Sequence, residues 1–193
     1  MVNLVLVRSG NKYDKWYEHN IVHMLKDNLD YEELIVIEDG EGSVYDKLKM
    51  FKLCNDDENY LYFDLDIIIK GSVCHLVRDK FTLLHAWWRR EFHTPLNSSI
   101  MSWKGDHSHI YDKFYEDEDY NRLKYHRGID EYIFKEIEYQ TYEKVCWSWP
   151  WHRRKLDYPV CLFNHDTTNE MQIYEEYMLG GRGGEIVSQL PST

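Results

Sequence analysis

The stretch that most constrains this sequence is Tyr60-Leu61-Tyr62-Phe63-Asp64-Leu65-Asp66-Ile67-Ile68-Ile69-Lys70-Gly71. Its apolar and aromatic residues predict a buried strand that two carboxylates interrupt. Because side chains alternate across a strand, Asp64 and Asp66 are expected on one side and Leu65 on the other. Two neighbouring acids repel each other and are costly to bury, and a hard cation such as Mn²⁺ or Mg²⁺ removes both costs. The pattern therefore favours a metal site over a pair of solvated acids at a strand end.

Composition narrows the class of protein further. The chain has 193 residues, enough for one substantial domain, and its net charge of −11 lacks the basic footprint of a general nucleic-acid binder. No apolar stretch reaches the length of a membrane span, and the N-terminus lacks the layout of a signal peptide. The four cysteines form no CxxC pair, which favours reduced thiols. We therefore expect a cytoplasmic protein with no membrane span and no nucleic-acid partner.

The first half of the chain alternates between strand and helix patterns. Residues 2–7 and 34–37 are short apolar strands, and apolar residues recur at helical spacing over 13–28 and 44–53. With the aspartate-bearing strand, this order predicts an α/β fold with a mostly parallel central sheet flanked by helices. Ligands of such sheets bind beyond the carboxyl ends of the strands, so residues 8–11, Asp39 and the two aspartates are expected around one crevice.

The second half has a less regular pattern. Strands are predicted over 81–84, 98–103 and 159–163, and helices over 108–116, 128–137 and 168–179. The acidic run 116–119 is predicted to be a solvated loop. Residues 1–179 are expected to form one domain, and the glycine-rich residues 180–193 a flexible tail. Tryptophans 87, 88, 149 and 151 suit either a core or a surface that stacks against an acceptor sugar.

Four segments together carry a family resemblance. Phe63-Asp64-Leu65-Asp66-Ile67 resembles the DxD motif of GT-A-fold nucleotide-sugar glycosyltransferases. In that family's order, residues 45–51 look like the lysine-bearing helix before the motif, and residues 96–101 look like the strand that lines the donor-sugar pocket. Residues 163–165 are similar to the late element whose histidine is the third metal ligand. The chain would be an unusually short member of the family.

The resemblance implies a hexosyltransferase-like enzyme that transfers a sugar from a nucleoside-diphosphate donor to a glycan or other hydroxyl acceptor. A UDP-sugar is the expected donor. The metal ligands would be Asp64, Asp66 and His165, and an imidazole beside two carboxylates favours Mn²⁺ over Mg²⁺. As a Lewis acid, that cation would stabilise the negative charge that develops on the departing diphosphate.

Further positions are expected around the donor and the acceptor. The donor contacts implied by the resemblance are Val7, Arg8, Ser9, Asp39, Lys47, Asp64, Leu65, Asn97 and Ser98. For Lys47 a solvated helix lysine, and for Asn97 a polar strand end, are the plainer interpretations. Asp130 and Glu131 resemble the start of a family helix and are the candidate catalytic residues, with Asp130 as a general base or a group that orients the acceptor. Carboxylates at a helix start are also explained by the helix dipole.

Two other functions use similar residues. A haloacid-dehalogenase-type phosphatase also has Asp-x-Asp after a buried strand, with the first aspartate as nucleophile. It usually places that motif near the N-terminus, whereas here at least two predicted strands come first. The second alternative is a nucleotide-sugar-binding module without turnover. Release of free nucleoside diphosphate distinguishes that module from an enzyme.

Overall fold

The computed structural model describes residues 1–38, 40–90, 93–154, 156–163 and 168–179. The elements of the first half are β1 (Val2–Val7), α1 (Lys15–Leu25), β2 (Leu34–Ile37), a 3₁₀ turn (Val44–Leu48), α2 (Lys49–Leu53) and β3 (Asn59–Phe63). Helix α1 begins where the Asp14 carboxylate accepts a hydrogen bond from the Trp16 N–H at 2.9 Å. The strand–helix alternation predicted for this half is confirmed.

The second half adds eleven further helices and strands in the described part of the chain. They are β4 (Ile67–Ile69), β5 (Thr82–His85), β6 (Leu96–Lys104), α3 (Ser108–Tyr115), α4 (Glu118–Lys124), α5 (Ile129–Glu136), β7 (Gln140–Tyr142), β8 (Cys146–Ser148), α6 (Trp149–His152), β9 (Val160–Leu162) and α7 (Thr168–Leu179). A 3₁₀ turn covers Cys74–Leu76. Residues 180–193, predicted to be a flexible tail, lie outside the described residues.

The central sheet has six strands in the order β2-β1-β3-β6-β5-β7. Strand β6 runs antiparallel to both of its neighbours, and the other three pairings are parallel. The prediction of an α/β fold with a mostly parallel central sheet is therefore confirmed. A smaller sheet has the order β4-β9-β8, with β4 antiparallel and β8 parallel to β9.

Helices cover both faces of the central sheet. On one face, Leu4 and Leu6 of β1 pack into a core that includes residues of α1 and α7. On the other face, Val5 and Val7 pack into a second core that includes residues of α2, α3 and α5. Adjacent residues of one strand thus enter different cores, which explains why β1 is apolar throughout.

The acidic run 116–119 is an exposed turn in its first half, as predicted, but its second half begins a helix. The Asp117 carboxylate accepts a hydrogen bond from the Tyr120 N–H at 3.3 Å, and α4 begins at Glu118. Acidic side chains are favourable in the first turn of a helix, because the N–H groups there are unpaired. The same charges that indicate a loop therefore also suit a helix start.

The cysteines agree with the prediction of reduced thiols. All four cysteines are free thiols, and Cys54, Cys146 and Cys161 are buried. Among the described helices, none combines the length and the apolar content that crossing a bilayer requires.

Candidate functional site

The two aspartates lie in a turn that joins the two sheets, not inside one strand. Strand β3 ends at Phe63 and β4 begins at Ile67 in the smaller sheet. The Asp64 N–H donates to the carbonyl of Ser99 at 2.8 Å, and the Asp66 carbonyl accepts from the Phe163 N–H at 3.1 Å. The buried strand ends at the aspartate pair, and the apolar residues after the pair form a strand of the smaller sheet. Strand alternation therefore does not set the direction of these side chains.

The Asp64 carboxylate is held by a lysine and a tyrosine. Its Oδ1 lies 2.6 Å from the Lys47 Nζ and accepts a hydrogen bond from the Tyr62 hydroxyl at 2.5 Å. Burial and the charge of Asp64 raise the pKa of Tyr62 well above its ordinary value, so the phenol stays protonated and donates. Asp64 is thus fixed at the carboxyl end of the central strand β3.

The Asp66 carboxylate is almost buried, with 5% of the residue exposed. Its Oδ2 accepts a hydrogen bond from the Tyr13 hydroxyl at 2.7 Å. Burial and the charges of Asp66 and Asp64 raise the pKa of Tyr13 far above its usual range. Tyr13 belongs to the loop that follows β1, so this contact brings that loop to the turn after β3. Leu65, a predicted donor contact, is buried in the core.

Lys47 lies among three carboxylates. Burial lowers the pKa of its ammonium, but the charge and hydrogen bond of Asp64 outweigh that effect, and the net pKa is raised. The charges of Asp130 and Asp66 act in the same direction. The interpretation of Lys47 as a solvated lysine was wrong, since only 22% of its side chain is exposed. A permanent cation therefore stands beside the two aspartates.

Asp130 connects the start of α5 to β6, the strand that is predicted to line the donor-sugar pocket. Its Oδ1 accepts the Ser98 N–H at 2.9 Å, and its Oδ2 accepts a hydrogen bond from the Arg89 guanidinium at 3.0 Å. Asn97 and Ser98 are both buried, and the Asn97 Oδ1 accepts the Ser99 N–H at 3.1 Å. The Ser99 carbonyl in turn binds Asp64, so β6 links Asp130 to the turn.

Glu131 faces a different set of partners. Its carboxylate accepts hydrogen bonds from the Lys135 ammonium at 2.7 Å and from the Arg127 N–H at 3.2 Å. The hydrogen bond from Lys135 lowers the pKa of Glu131. This carboxyl group therefore stays ionised at neutral pH and braces the first turn of α5.

The loops after β1 and β2 touch each other. Gly10 has a φ of +64°, and a Cβ there would lie 2.6 Å from the Cα of Gly42. The neighbouring Arg8 forms ion pairs with Glu18, at 3.2 Å, and with Glu38. Val7 is buried at the end of β1, and Ser9 follows Arg8 in this loop. The carboxyl ends of β1, β2 and β3 thus meet, as the parallel-sheet pattern predicts. Asp39 lies outside the described residues.

The third predicted metal ligand, His165, also lies outside the described residues. Within the described ranges, no three His, Cys, Asp or Glu side chains form a group that could hold a metal. Of the three predicted metal ligands, Asp64 and Asp66 are among the described residues.

Comparison with solved structures identifies the fold. A glycosyltransferase involved in glycosylation of the major capsid of PBCV-1 is similar over 92% of this chain and 98% of its own, with a TM-score of 0.68 and 7% identity. The galactosyltransferase LgtC, solved in complex with donor and acceptor sugar analogs, is similar over 98% of both chains, with a TM-score of 0.61 and 9% identity. The chain has the GT-A glycosyltransferase fold.

A third structure with this GT-A fold is the apo-form glycosyltransferase GlyE of Streptococcus pneumoniae TIGR4. It is 11% identical and has a TM-score of 0.57, and the match covers 92% of this chain and 60% of GlyE. No protein-family model and no curated protein matches the sequence. At these sequence identities the comparisons establish the fold. The chemistry of the site has to be inferred from its own residues.

Sequence reasoning missed three side chains of this candidate site. They are Tyr13, Tyr62 and Arg89, which bind Asp66, Asp64 and Asp130 respectively. Tyr62 lies two residues before Asp64 at the end of β3. Residues two apart in a strand lie on the same face, so this spacing could have predicted the contact. Tyr13 and Arg89 come from distant loops, and no spacing in the sequence connects them to their partners.

Proposed function

We propose that this protein is a metal-dependent glycosyltransferase that transfers a sugar from a nucleoside-diphosphate donor, a UDP-sugar, to a glycan or other hydroxyl acceptor. The observation that carries the proposal is the placement of Asp64 and Asp66 in one turn at the carboxyl end of β3, within a GT-A fold. Ligands of open α/β sheets bind at such strand ends.

The residues present suit a divalent cation. Carboxylate oxygens are the ligands that Mn²⁺ and Mg²⁺ accept readily, and Asp64 and Asp66 supply two of them. The Lys47 ammonium lies 2.6 Å from the Asp64 carboxylate, and the Tyr13 hydroxyl donates a hydrogen bond to the Asp66 carboxylate at 2.7 Å. By the family resemblance His165 would complete the ligand set. A bound cation supplies Lewis-acid stabilisation of the departing diphosphate.

The protein's own side chains hold the donor in this proposal. The protonated Lys47 lies beside Asp64 and presents a positive charge toward the phosphates. Asp64 and Asn97 accept hydrogen bonds from sugar hydroxyls. The loop of Val7, Arg8 and Ser9, together with Asp39, holds the nucleoside, and the contact between Gly10 and Gly42 keeps the two loops together.

Asp130 and Glu131 are proposed to act on the acceptor side. Both oxygens of Asp130 already accept hydrogen bonds, from Ser98 and Arg89. A carboxylate has about four lone-pair positions, so Asp130 can still accept one from an acceptor hydroxyl and orient it. Glu131, which accepts hydrogen bonds from Lys135 and from the Arg127 N–H, stabilises the first turn of this helix.

A panel of nucleotide sugars with Mn²⁺ tests the proposal through the release of nucleoside diphosphate. We expect the wild-type protein to release UDP from at least one UDP-sugar, and the variant Asp66→Asn to lose at least about 100-fold of that rate. Asn keeps an oxygen that accepts from Tyr13, so the melting temperature should change little. The matched control is Asp57→Asn, because the Asp57 side chain is 93% exposed.

The same panel decides between the alternatives. Undiminished release in Asp66→Asn, or release that survives EDTA, would remove the proposed metal role. Metal-dependent binding of a donor with no release would indicate a binding module. Hydrolysis of aryl phosphates would indicate the phosphatase. No observation in the described part of the structure favours that alternative.

A further inference from the structure

A cleft beside helix α5 is lined by more cationic than anionic side chains among the described residues. Its volume is about 540 Å³, within the range of about 300–1,000 Å³ that ligand sites occupy. Its walls come from the segment around β5, the loop before β6 and helix α5. The lining residues are His85, Ala86, Trp87, Arg89, Arg90, His93, Thr94, Pro95, Arg127, Glu131, Phe134 and Lys135.

Among the described lining residues, four side chains are cationic and one is a carboxylate. The cations are Arg89, Arg90, Arg127 and Lys135, and the carboxylate is Glu131. The chain as a whole carries a net charge of −11, so this excess is opposite to that of the molecule. Counting Asp130, the partner of Arg89, still leaves more cations than anions. The cleft therefore concentrates positive potential in an acidic protein.

The Arg90 guanidinium differs from two other cations of the cleft in its contacts with the described residues. Arg89 binds Asp130 at 3.0 Å and Lys135 binds Glu131 at 2.7 Å, so these two cations are neutralised within the protein. Within the described part of the chain, the exposed Arg90 side chain has neither an ion pair nor a hydrogen bond. A planar guanidinium matches two oxygens of a carboxylate or phosphate group.

Aromatic surface lies beside these charges. Phe134 of α5 is 44% exposed, and the half-buried Trp87 forms part of the same cleft. Trp88 and Trp149, two of the tryptophans considered for stacking, belong instead to the buried core. Exposed aromatic faces stack on the apolar faces of sugar rings. The cleft thus combines a surface for a sugar ring with cations for an anionic group.

Arg89 connects the cleft to the side chains of the proposed reaction centre. Arg89 forms part of its wall and donates to Asp130, and the charge of Asp130 acts on Lys47, which pairs with Asp64. A second cavity of similar volume is lined by residues of α1 and the loop after it, including His19, His23 and Tyr31. None of that second cavity's lining residues is among the predicted site residues.

We propose that the cleft binds the acceptor, and that the acceptor is a sugar bearing an anionic group, a carboxylate or a phosphate, that Arg90 and Arg127 bind. This inference rests on the proposed glycosyltransferase function and adds the chemical class of the acceptor. The anionic group lies at the Arg90 side of the cleft, the sugar ring lies against the exposed Phe134, and the reacting hydroxyl points toward Asp130.

Three sugars that differ only at C6 test the inference: glucose, glucuronate and glucose 6-phosphate. Their binding to the full chain is measured by titration calorimetry in the presence of Mn²⁺ and saturating UDP, which keeps the donor site occupied. We expect one or both anionic sugars to bind at least about tenfold more tightly than glucose. The variant Arg90→Gln should remove most of that preference, while Lys104→Gln, which removes an equal charge outside the cleft, should keep it.

The two anionic sugars distinguish a carboxylate from a phosphate acceptor. Equal binding of all three sugars, or a preference that survives in both Arg90→Gln and Arg127→Gln, would overturn the inference. Weaker UDP binding in Arg90→Gln would also overturn it, because the cleft would then hold the donor's diphosphate. Absence of UDP binding to the wild-type protein with Mn²⁺ would instead refute the proposed function, and it is read in a separate titration.

Discussion

At the scale of single residues, the pair of Lys47 and Asp64 determines the charge of the site. The ammonium and the carboxylate are 2.6 Å apart, and 22% and 16% of their side chains are exposed. Partial burial makes each charge costly without the other, although water still screens the pair. The folded-state pKa of Lys47 is raised, so its contribution to stability is complete below its unfolded pKa of 10.5 and is lost as pH rises through the raised value. At neutral pH the pair is fully formed.

The variant Lys47→Met should therefore lower the free energy of unfolding by about 1–3 kcal/mol. In the described part of the chain, it leaves the Asp64 carboxylate with the Tyr62 hydroxyl as its side-chain hydrogen-bond partner. Urea denaturation without metal measures this change. Lys52→Met is the matched control, since the pair of Lys52 and Asp112 is about half exposed and water screens it, so its loss should change the free energy of unfolding less than Lys47→Met does.

A double-mutant cycle isolates the interaction between the two residues. The double variant Lys47→Met with Asp64→Asn should be less destabilised than the sum of the single variants, because it removes both charges together. Additive effects, or a cost of Lys47→Met no larger than that of Lys52→Met, would show that the pair contributes nothing beyond its packing.

At the scale of helices and strands, sequence periodicity predicts the elements that are buried on a regular face. Strands β1 and β2, which are short apolar runs, and helix α7 have the predicted bounds. Periodicity fails where the chain changes sheet, as it does after Phe63, because the apolar run continues from β3 into β4. The short elements β7, β8 and α6 were also missed, since three or four residues are too few to define a period.

The loops after β1 and β2 form the next testable element. The variant Gly10→Ala should lower the free energy of unfolding by about 1–3 kcal/mol and weaken UDP binding, because Gly10 has a φ of +64° and its Cβ would lie 2.6 Å from the backbone of Gly42. Urea denaturation and calorimetry with Mn²⁺ measure the two effects. Gly71→Ala is the control, as the nearest atom to its Cβ would be 3.6 Å away. Unchanged UDP affinity in a destabilised Gly10→Ala protein would separate these loops from the donor site.

At the scale of the whole molecule, the place of the site was predictable and its internal contacts were not. The parallel order of β1, β2 and β3 brings their carboxyl ends together, which any α/β pattern implies. The partners of the aspartates depend on tertiary packing instead. Tyr13 lies 53 residues before Asp66, and Arg89 lies 41 residues before Asp130. Such contacts follow from loop conformations that no local pattern encodes.

The turn of Asp64 and Asp66 connects the six-stranded sheet to the three-stranded sheet, so a ligand held there should stabilise both. With UDP and Mn²⁺ at about 100 times their dissociation constant, linkage adds about 2.7 kcal/mol, and for a chain of this size the melting temperature should rise by roughly 5–10 °C. EDTA or Asp66→Asn should abolish the rise, and Asp57→Asn should not. Hydrogen exchange should slow in β3 and in β4 alike. Protection confined to one sheet, or a rise that persists in EDTA, would contradict a metal-held donor at this turn.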